Sequence, residues 1–263
     1  MKQIFVFSLL TLFAALGAEA QIIKKKMPEK LVVLTFDDAT ASHYSVVAPL
    51  LKKYGFGATF FVCEFPPNFS DTTKYMNWRQ IKELDKMGFE IANHTRSHPA
   101  VAKLSREALL EELSYIDQKC DSMDIDRPVS FAYPGYSLSQ EAINVLHERG
   151  ILFSRAGGSR VYEPENDYPL LVPSWAMDSE NKGQMMEALG KAGKGKIVVL
   201  TIHGVPDAEH PWVNTPPELF REYLQYLAEN HYNVIAMRDL GKFVDVKTAL
   251  KQLKPDFSKT LKN

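Results

Sequence analysis

Two adjacent acids, Asp37 and Asp38, stand directly after an apolar run, Leu31–Thr35. Burying two carboxylates side by side is costly unless a positive group compensates them. A bound metal ion supplies such a charge. Further ligands are at hand in His94 and His98, whose spacing predicts that they share one face of a helical turn. Two imidazoles and one carboxylate form a catalytic set of the kind zinc uses, with a position left open for water. The second carboxylate is then free to act as a base on water acidified by the ion. A third histidine, His203, follows the run Lys196–Thr201 and is placed to protonate a leaving group. Each feature alone has a plainer explanation: an Asp-Asp turn, a chance pair of histidines, a structural imidazole. Their coincidence at three predicted strand ends points to chemistry.

Those ends belong to an alternating pattern. Runs 31–35, 58–63, 89–92, 129–133, 151–154, 196–201 and 233–236 read as strands, with a further short one at 170–172. Between them, 46–54, 77–87, 105–122, 139–149, 182–192 and 215–230 read as helices, with another beginning at Arg238. Asn77 with Gln80 and Thr215 with Glu218 form capping-box patterns, the second with Pro at the first helical position. Strands alternating with helices argue for parallel β/α units. Seven or eight such units in about 230 residues suit a closed barrel better than an open sheet, and in a β/α barrel the active residues sit at the C-terminal strand ends.

Composition narrows the function further. Lys plus Arg is 31 and Asp plus Glu is 32, a net charge of −1, which leaves no excess to neutralise phosphates. A nucleic-acid or anionic-membrane binder is not expected. Two cysteines, Cys63 and Cys120, are too few for a disulfide scaffold, and two separate buried thiols are favoured over a bridge. Lys2, the apolar run Ile4–Leu16 and the small-x-small Ala18-Glu19-Ala20 read as a cleaved secretory signal over residues 1–20. The mature protein is therefore expected to be periplasmic or secreted, without a transmembrane anchor. Residues 21–30, with Lys24–Lys26, read as a linker, 31–254 as the catalytic domain and 255–263 as a polar tail. Gly190–Lys196 imitates a phosphate loop but precedes a strand and has no Ser or Thr after the Lys, so it reads as a helix end and a turn.

The candidate residues resemble the polysaccharide deacetylase family, the NodB-homology group also called carbohydrate esterase family 4. Its T-F-D-D motif stands as Thr35-Phe36-Asp37-Asp38, its H-[ST]-x-x-H motif as His94-Thr95-Arg96-Ser97-His98, and its L-x-[IL]-H motif as Leu200-Thr201-Ile202-His203. The resemblance runs from Leu31 to Asp239. It implies an α/β fold, a distorted (β/α)7 TIM-like barrel of the NodB-homology type. It implies removal of acetyl groups from an N-acetylated amino-sugar polysaccharide or oligosaccharide, with an O-acetyl glycan as the alternative, using a divalent metal, Zn2+ by preference. By the match Asp37 is the general base, Asp38, His94 and His98 hold the metal, and His203 is the general acid.

Two motifs depart from the family pattern. R-x-P-Y becomes Ala132-Tyr133-Pro134-Gly135-Tyr136, so the Arg that braces the base is replaced, while a backbone N–H at Gly135 remains for an oxyanion. D-x-x-D-W is missing, and Trp175 and Asp178 are the residues to consider in its place, Trp175 as a pocket wall and Asp178 as a partner of His203. Tyr136 joins the substrate candidates. His43 is a candidate positive partner for Asp37, and Trp212, on a loop with Asp207 and His210, has the flat apolar face that sugars stack against. Core packing or surface exposure accounts for each of these equally well. Amide and ester deacetylation, on peptidoglycan, chitin oligosaccharide, poly-N-acetylglucosamine or acetyl-xylan, use the same constellation. A glycan-binding protein with an idle site is the rival of a different class, although it needs neither base nor acid. A metallopeptidase would want H-E-x-x-H, and residues 94–98 lack that Glu.

Overall fold

A computed structural model describes residues 21–65 and 68–260; the signal reading of residues 1–20 lies outside them. Eight short strands form one sheet: β1 (Leu31–Phe36), β2 (Thr59–Val62), β3 (Glu90–Asn93), β4 (Ser130–Ala132), β5 (Phe153–Arg155), β6 (Trp175–Met177), β7 (Val198–Ile202) and β8 (Asn233–Ile235). The helices between and after them are α1 (Ala48–Tyr54), α2 (Trp78–Lys86), α3 (Arg106–Ser122), α4 (Gln140–Glu148), α5 (Lys182–Leu189), α6 (Pro217–Glu229) and α7 (Val246–Gln252). Every strand pair is parallel, in the order β5-β4-β3-β2-β1-β7-β6, with β8 added beside β1. The sheet curls into the distorted (β/α)7 half-barrel that the resemblance implies; the closed barrel expected from the alternation is corrected, since among the described residues β5 and β6 are edge strands that do not pair.

β1 is the axis of the sheet, and all six of its residues are buried, as a strand covered on both faces requires. Its side chains alternate between two apolar layers. Leu31 and Val33 face the barrel interior with Phe61, Ala92, Ala132, Phe153 and Val199. Val32, Leu34 and Phe36 pack outward against the helices with Phe60, Ile81, Phe220 and Leu224. β7 runs along one edge of β1, while β8 and β2 share the other: β8 pairs with Leu31–Val33 and β2 with Thr35 and Phe36. At the junction Gly57 passes so close to β8 that a Cβ would lie 2.9 Å from the Ala236 nitrogen.

No ladder joins β5 to β6 among the described residues. A 3-10 turn at Pro169–Leu171 and a single bridge from Arg155 to Val172 fill that seam. The strand expected at 170–172 is thus corrected: Pro169 opens a turn, Pro173 has no N–H to give a ladder, and the strand forms at Trp175–Met177 against Leu200–Ile202. The Asn77–Gln80 capping box forms as read. The one at Thr215 does not, because its buried hydroxyl donates to the Met177 carbonyl at 3.1 Å; Pro217 still opens the helix. Ile22 joins the interior layer and Ile23 bridges Val244, while Lys24–Lys26 are exposed. Cys63 and Cys120 are separate buried thiols. Gly193–Lys196 is a tight turn before β7, as expected of the false phosphate loop. No helix of the described residues is long and apolar enough to cross a membrane.

Candidate metal and acid–base site

The C-terminal ends of β1, β3, β4, β5 and β7 open into one pocket of about 410 Å3. Asp37 continues the β1 ladder, its N–H donating to the Ile202 carbonyl at 2.9 Å. The chain then turns through left-handed backbone at Asp38 (φ 73°) and Ala39 (φ 52°), so both carboxylates reach the pocket. At the end of β3 the Asn93 side chain shapes the next turn: its Oδ1 accepts from the Thr95 N–H and its Nδ2 donates to the Leu113 carbonyl, both at 2.9 Å. The helical turn expected for 94–98 is corrected here. The segment is a bend, with left-handed Thr95 (φ 65°) and His98 (φ 55°), and the bend brings the two imidazoles to 4.8 Å between centroids.

His94 Nδ1 donates to the Ala132 carbonyl at 2.8 Å, since a carbonyl can only accept, and this leaves the Nε2 lone pair for a ligand. Burial pushes its pKa down to about 4, so the ring is neutral at ordinary pH. Its Nε2 lies 3.5 Å from Asp38 Oδ1, and His98 Nε2 lies 3.7 Å from the same oxygen. One donor atom from each of Asp38, His94 and His98 falls within 4.8 Å of the others, a convergence that fits a divalent cation with three protein ligands. Cys63 Sγ lies 3.7 Å from Asp38 Oδ1, and burial, followed by the two neighbouring aspartates, holds it as a neutral thiol.

Asp37 is not unbraced. Arg155, buried at the end of β5, donates from Nη2 to Asp37 Oδ2 and from Nη1 to Thr201 Oγ1, the latter at 2.6 Å. Its guanidinium also lies over the rings of Phe61 and Tyr136, at 5.4 and 5.7 Å. Burial alone would raise the Asp37 pKa, but Arg155 and then His94, His203 and His98 pull it below the usual carboxylate value. Its other oxygen, Oδ1, is buried with no partner among the described residues, which leaves an ionised carboxylate with a free acceptor. Arg155 escaped the sequence reading because the search stayed at the end of β4. The available signal was an Arg immediately after the strand read at 151–154.

His203 follows β7 with Nε2 3.8 Å from Asp38 Oδ2. His43 is corrected as a positive partner for Asp37. It is fully buried, burial lowers its pKa to about 4, and its Nε2 meets the His203 carbonyl at 3.1 Å. Its place is behind the loop that carries His203. Trp175 is corrected as a pocket wall: it is 3% exposed in the outer core layer, with Lys191 over its ring. Asp178 is corrected as a partner of His203: it accepts from the Glu180 N–H and the Asn181 amide and closes the turn before α5. Gly135 and Tyr136, on the turn after β4, line the pocket, as do Trp212 and His210 from the loop after β7.

Residues 24–153 match the family model for polysaccharide deacetylase, and with this fold and site the chain belongs to that family. It is 25% identical to peptidoglycan-N-acetylmuramic acid deacetylase PdaC of Bacillus subtilis over 219 residues, 81% of this chain and 39% of that protein. It is 30% identical to a peptidoglycan-N-acetylglucosamine deacetylase of Bacillus cereus over 124 residues, 46% of this chain and 54% of the other. The chain thus spans only about half or less of these curated relatives. The Xyl-CE4 domain of a multidomain xylanase from the hindgut metagenome of Trinervitermes trinervoides superposes with a TM-score of 0.57 at 21% identity, covering 82% of this chain and 91% of that one, a likeness of fold.

Proposed function

We propose that this protein is an exported, metal-dependent hydrolase that removes acetyl groups from an N-acetylated amino-sugar glycan. The observation that carries the reading is the partition of the two adjacent aspartates. Asp38 converges with two imidazoles on a cation-sized space, while Asp37 is held ionised by Arg155 with one oxygen free. A binding protein has no use for that division of labour. The Ala at position 132, which left room for an idle site, loses its force once Arg155 supplies the brace.

Asp38, His94 and His98 would hold the ion, Zn2+ by preference, whose chemistry is to polarise the acetyl carbonyl and to acidify water. Asp37 Oδ1 takes the proton from the attacking water. Arg155 keeps that oxygen's partner occupied and the carboxylate ionised until then. The N–H of Gly135, on the turn after β4 that lines the pocket, would donate to the developing oxyanion. His203 delivers a proton to the departing amine, giving acetate and a free amino sugar. The N-acetyl preference follows the two curated relatives, each named for deacetylating an N-acetylated sugar of peptidoglycan.

The test is acetate release from peptidoglycan, N-acetylated chito-oligosaccharides and acetylated xylan, with Zn2+ and with chelator. Asp37→Asn should keep stoichiometric metal and lose about 10²–10⁴-fold in kcat/KM. Asp38→Ala, His94→Ala and His98→Ala should each lose both metal and activity. Full activity in Asp37→Asn would overturn the assignment, and release from xylan alone would replace the amide reading with an ester one.

A further inference from the structure

We propose that the loop between β7 and α6 builds a subsite for a sugar next to the one deacetylated, with the Trp212 indole stacking on its pyranose ring and the His210 imidazole, seated on Asp207, hydrogen-bonding its polar substituents. The substrate is then an oligosaccharide or polymer engaged along its length. This rests on the deacetylase reading of the adjoining site.

The first observation is Trp212 itself. It is 73% exposed, the one large hydrophobic side chain so exposed among the described residues, and it lies on the rim of the pocket that holds Asp37, Asp38 and His203. The other two tryptophans are engaged: Trp175 is buried, and Trp78 Nε1 donates to Glu64 Oε1 at 2.7 Å. Trp212 is held out to water by a loop that is otherwise firmly tied. The Asp207 N–H donates to Asn214 Oδ1 at 2.8 Å, the Val205 N–H to Ser42 Oγ at 2.8 Å, and the Thr215 N–H to the Gly204 carbonyl at 3.2 Å. Lys74 pairs with Glu209 at 2.8 Å and pins the outer side. A flat apolar ring on a fixed support presents stacking area at little cost in ordering.

The second observation is independent. Asp207 is buried, and its carboxylate accepts from the Gly204 and His210 N–H groups at 3.1 and 2.8 Å. Its Oδ1 also lies 3.3 Å from His210 Nδ1, an ion-pair approach without hydrogen-bond geometry, and the His210 ring lines the pocket. The imidazole sits between Phe65 and Trp212, at 6.0 and 5.5 Å between centroids. Asp207 raises the His210 pKa against the opposing effect of burial, and in either protonation state the imidazole carries an N–H to donate to hydroxyl, amide or carboxylate oxygens. An apolar plate beside a polar donor matches a pyranose, which has an apolar C–H face and a polar rim. The acid–base and metal scheme uses neither residue.

The experiment compares N-acetylchitopentaose with N-acetylglucosamine, and acetylated xylopentaose with its monomer, on wild type, Trp212→Ala and His210→Gln. For wild type, kcat/KM should rise with chain length. In Trp212→Ala the pentamer-to-monomer ratio should fall about tenfold, with the loss in KM rather than kcat, and His210→Gln should lower it several-fold. A second readout needs no turnover: pentasaccharide should quench the tryptophan fluorescence of the chelated protein saturably, and Trp212→Ala should abolish the response. If wild type is active but the variants keep its length ratio, the subsite is wrong and the deacetylase reading stands. If the quench saturates with no turnover on any substrate, the subsite stands and the reaction reading fails. If neither pentasaccharide binds nor reacts, the subsite is overturned.

Discussion

Arg155 decides what kind of group Asp37 is. A carboxylate at this depth, without the guanidinium, would take up a proton well above its ordinary pKa. With the guanidinium the balance is reversed, so the lowered pKa adds stability above the ordinary carboxylate range, and that stability is lost as pH falls through the lowered value. Removing Arg155 leaves a buried acid unpaired. Arg155→Ala should therefore cost about 3–5 kcal/mol in a denaturant titration near neutral pH. It should also move the acid limb of the kcat/KM profile to higher pH, because the proposed base, Asp37, then needs a higher pH to ionise. Arg155→Lys, which keeps the charge but loses the fork, should fall between. An unmoved acid limb in Arg155→Ala would show that Asp37 is not the group titrating there.

At the scale of elements, the site depends on which strand ends become neighbours. Ala132 and Arg155 are paired residues in the β4–β5 register, so a side chain from either can reach the same interior space. The sequence made the apolar runs, Asp37, Asp38, the two candidate metal histidines and His203 legible, because they stand at or within five residues of the ends of β1, β3 and β7. It did not make the brace legible, since register between strands separated by α4 is a tertiary fact. The same holds for Trp175, whose strand was hidden behind Pro173, and for His43, which is enclosed by Phe36, Phe60 and the His203 carbonyl. The register logic also predicts rescue: Ala132→Arg combined with Arg155→Ala should recover part of the lost kcat/KM. The loop after β7 is equally constrained, for a Cβ on Gly204 would lie 2.6 Å from Asp207 Cα. Gly204→Ala should displace the turn beside His203, costing about 1–3 kcal/mol and several degrees of Tm, together with a loss of kcat.

The whole molecule feels the site because the three candidate metal ligands come from the ends of β1 and β3, with β2 between them. Unfolding scatters them, so an ion held there stabilises the entire fold. At roughly a thousand times Kd the gain is about 4 kcal/mol, or on the order of 10 °C for a chain of this size. Thermal melts should rise with Zn2+ and fall back with chelator. Asp38→Ala, His94→Ala and His98→Ala should abolish the rise, and Asp37→Asn should retain it. Acid should act on the chelated protein from the opposite side. His43 and His94 are buried neutral with pKa values of about 4, so between the free value near 6.5 and that point the unfolded chain binds more protons than the folded one. Their stabilisation is complete above about pH 6.5 and declines as pH falls toward 4, by up to about 3 kcal/mol for each ring. Denaturant midpoints of the chelated protein, measured from pH 7.5 to 4.5, should fall accordingly. His43→Asn should flatten the slope, and a midpoint independent of pH over that range would show that these rings are not buried neutral.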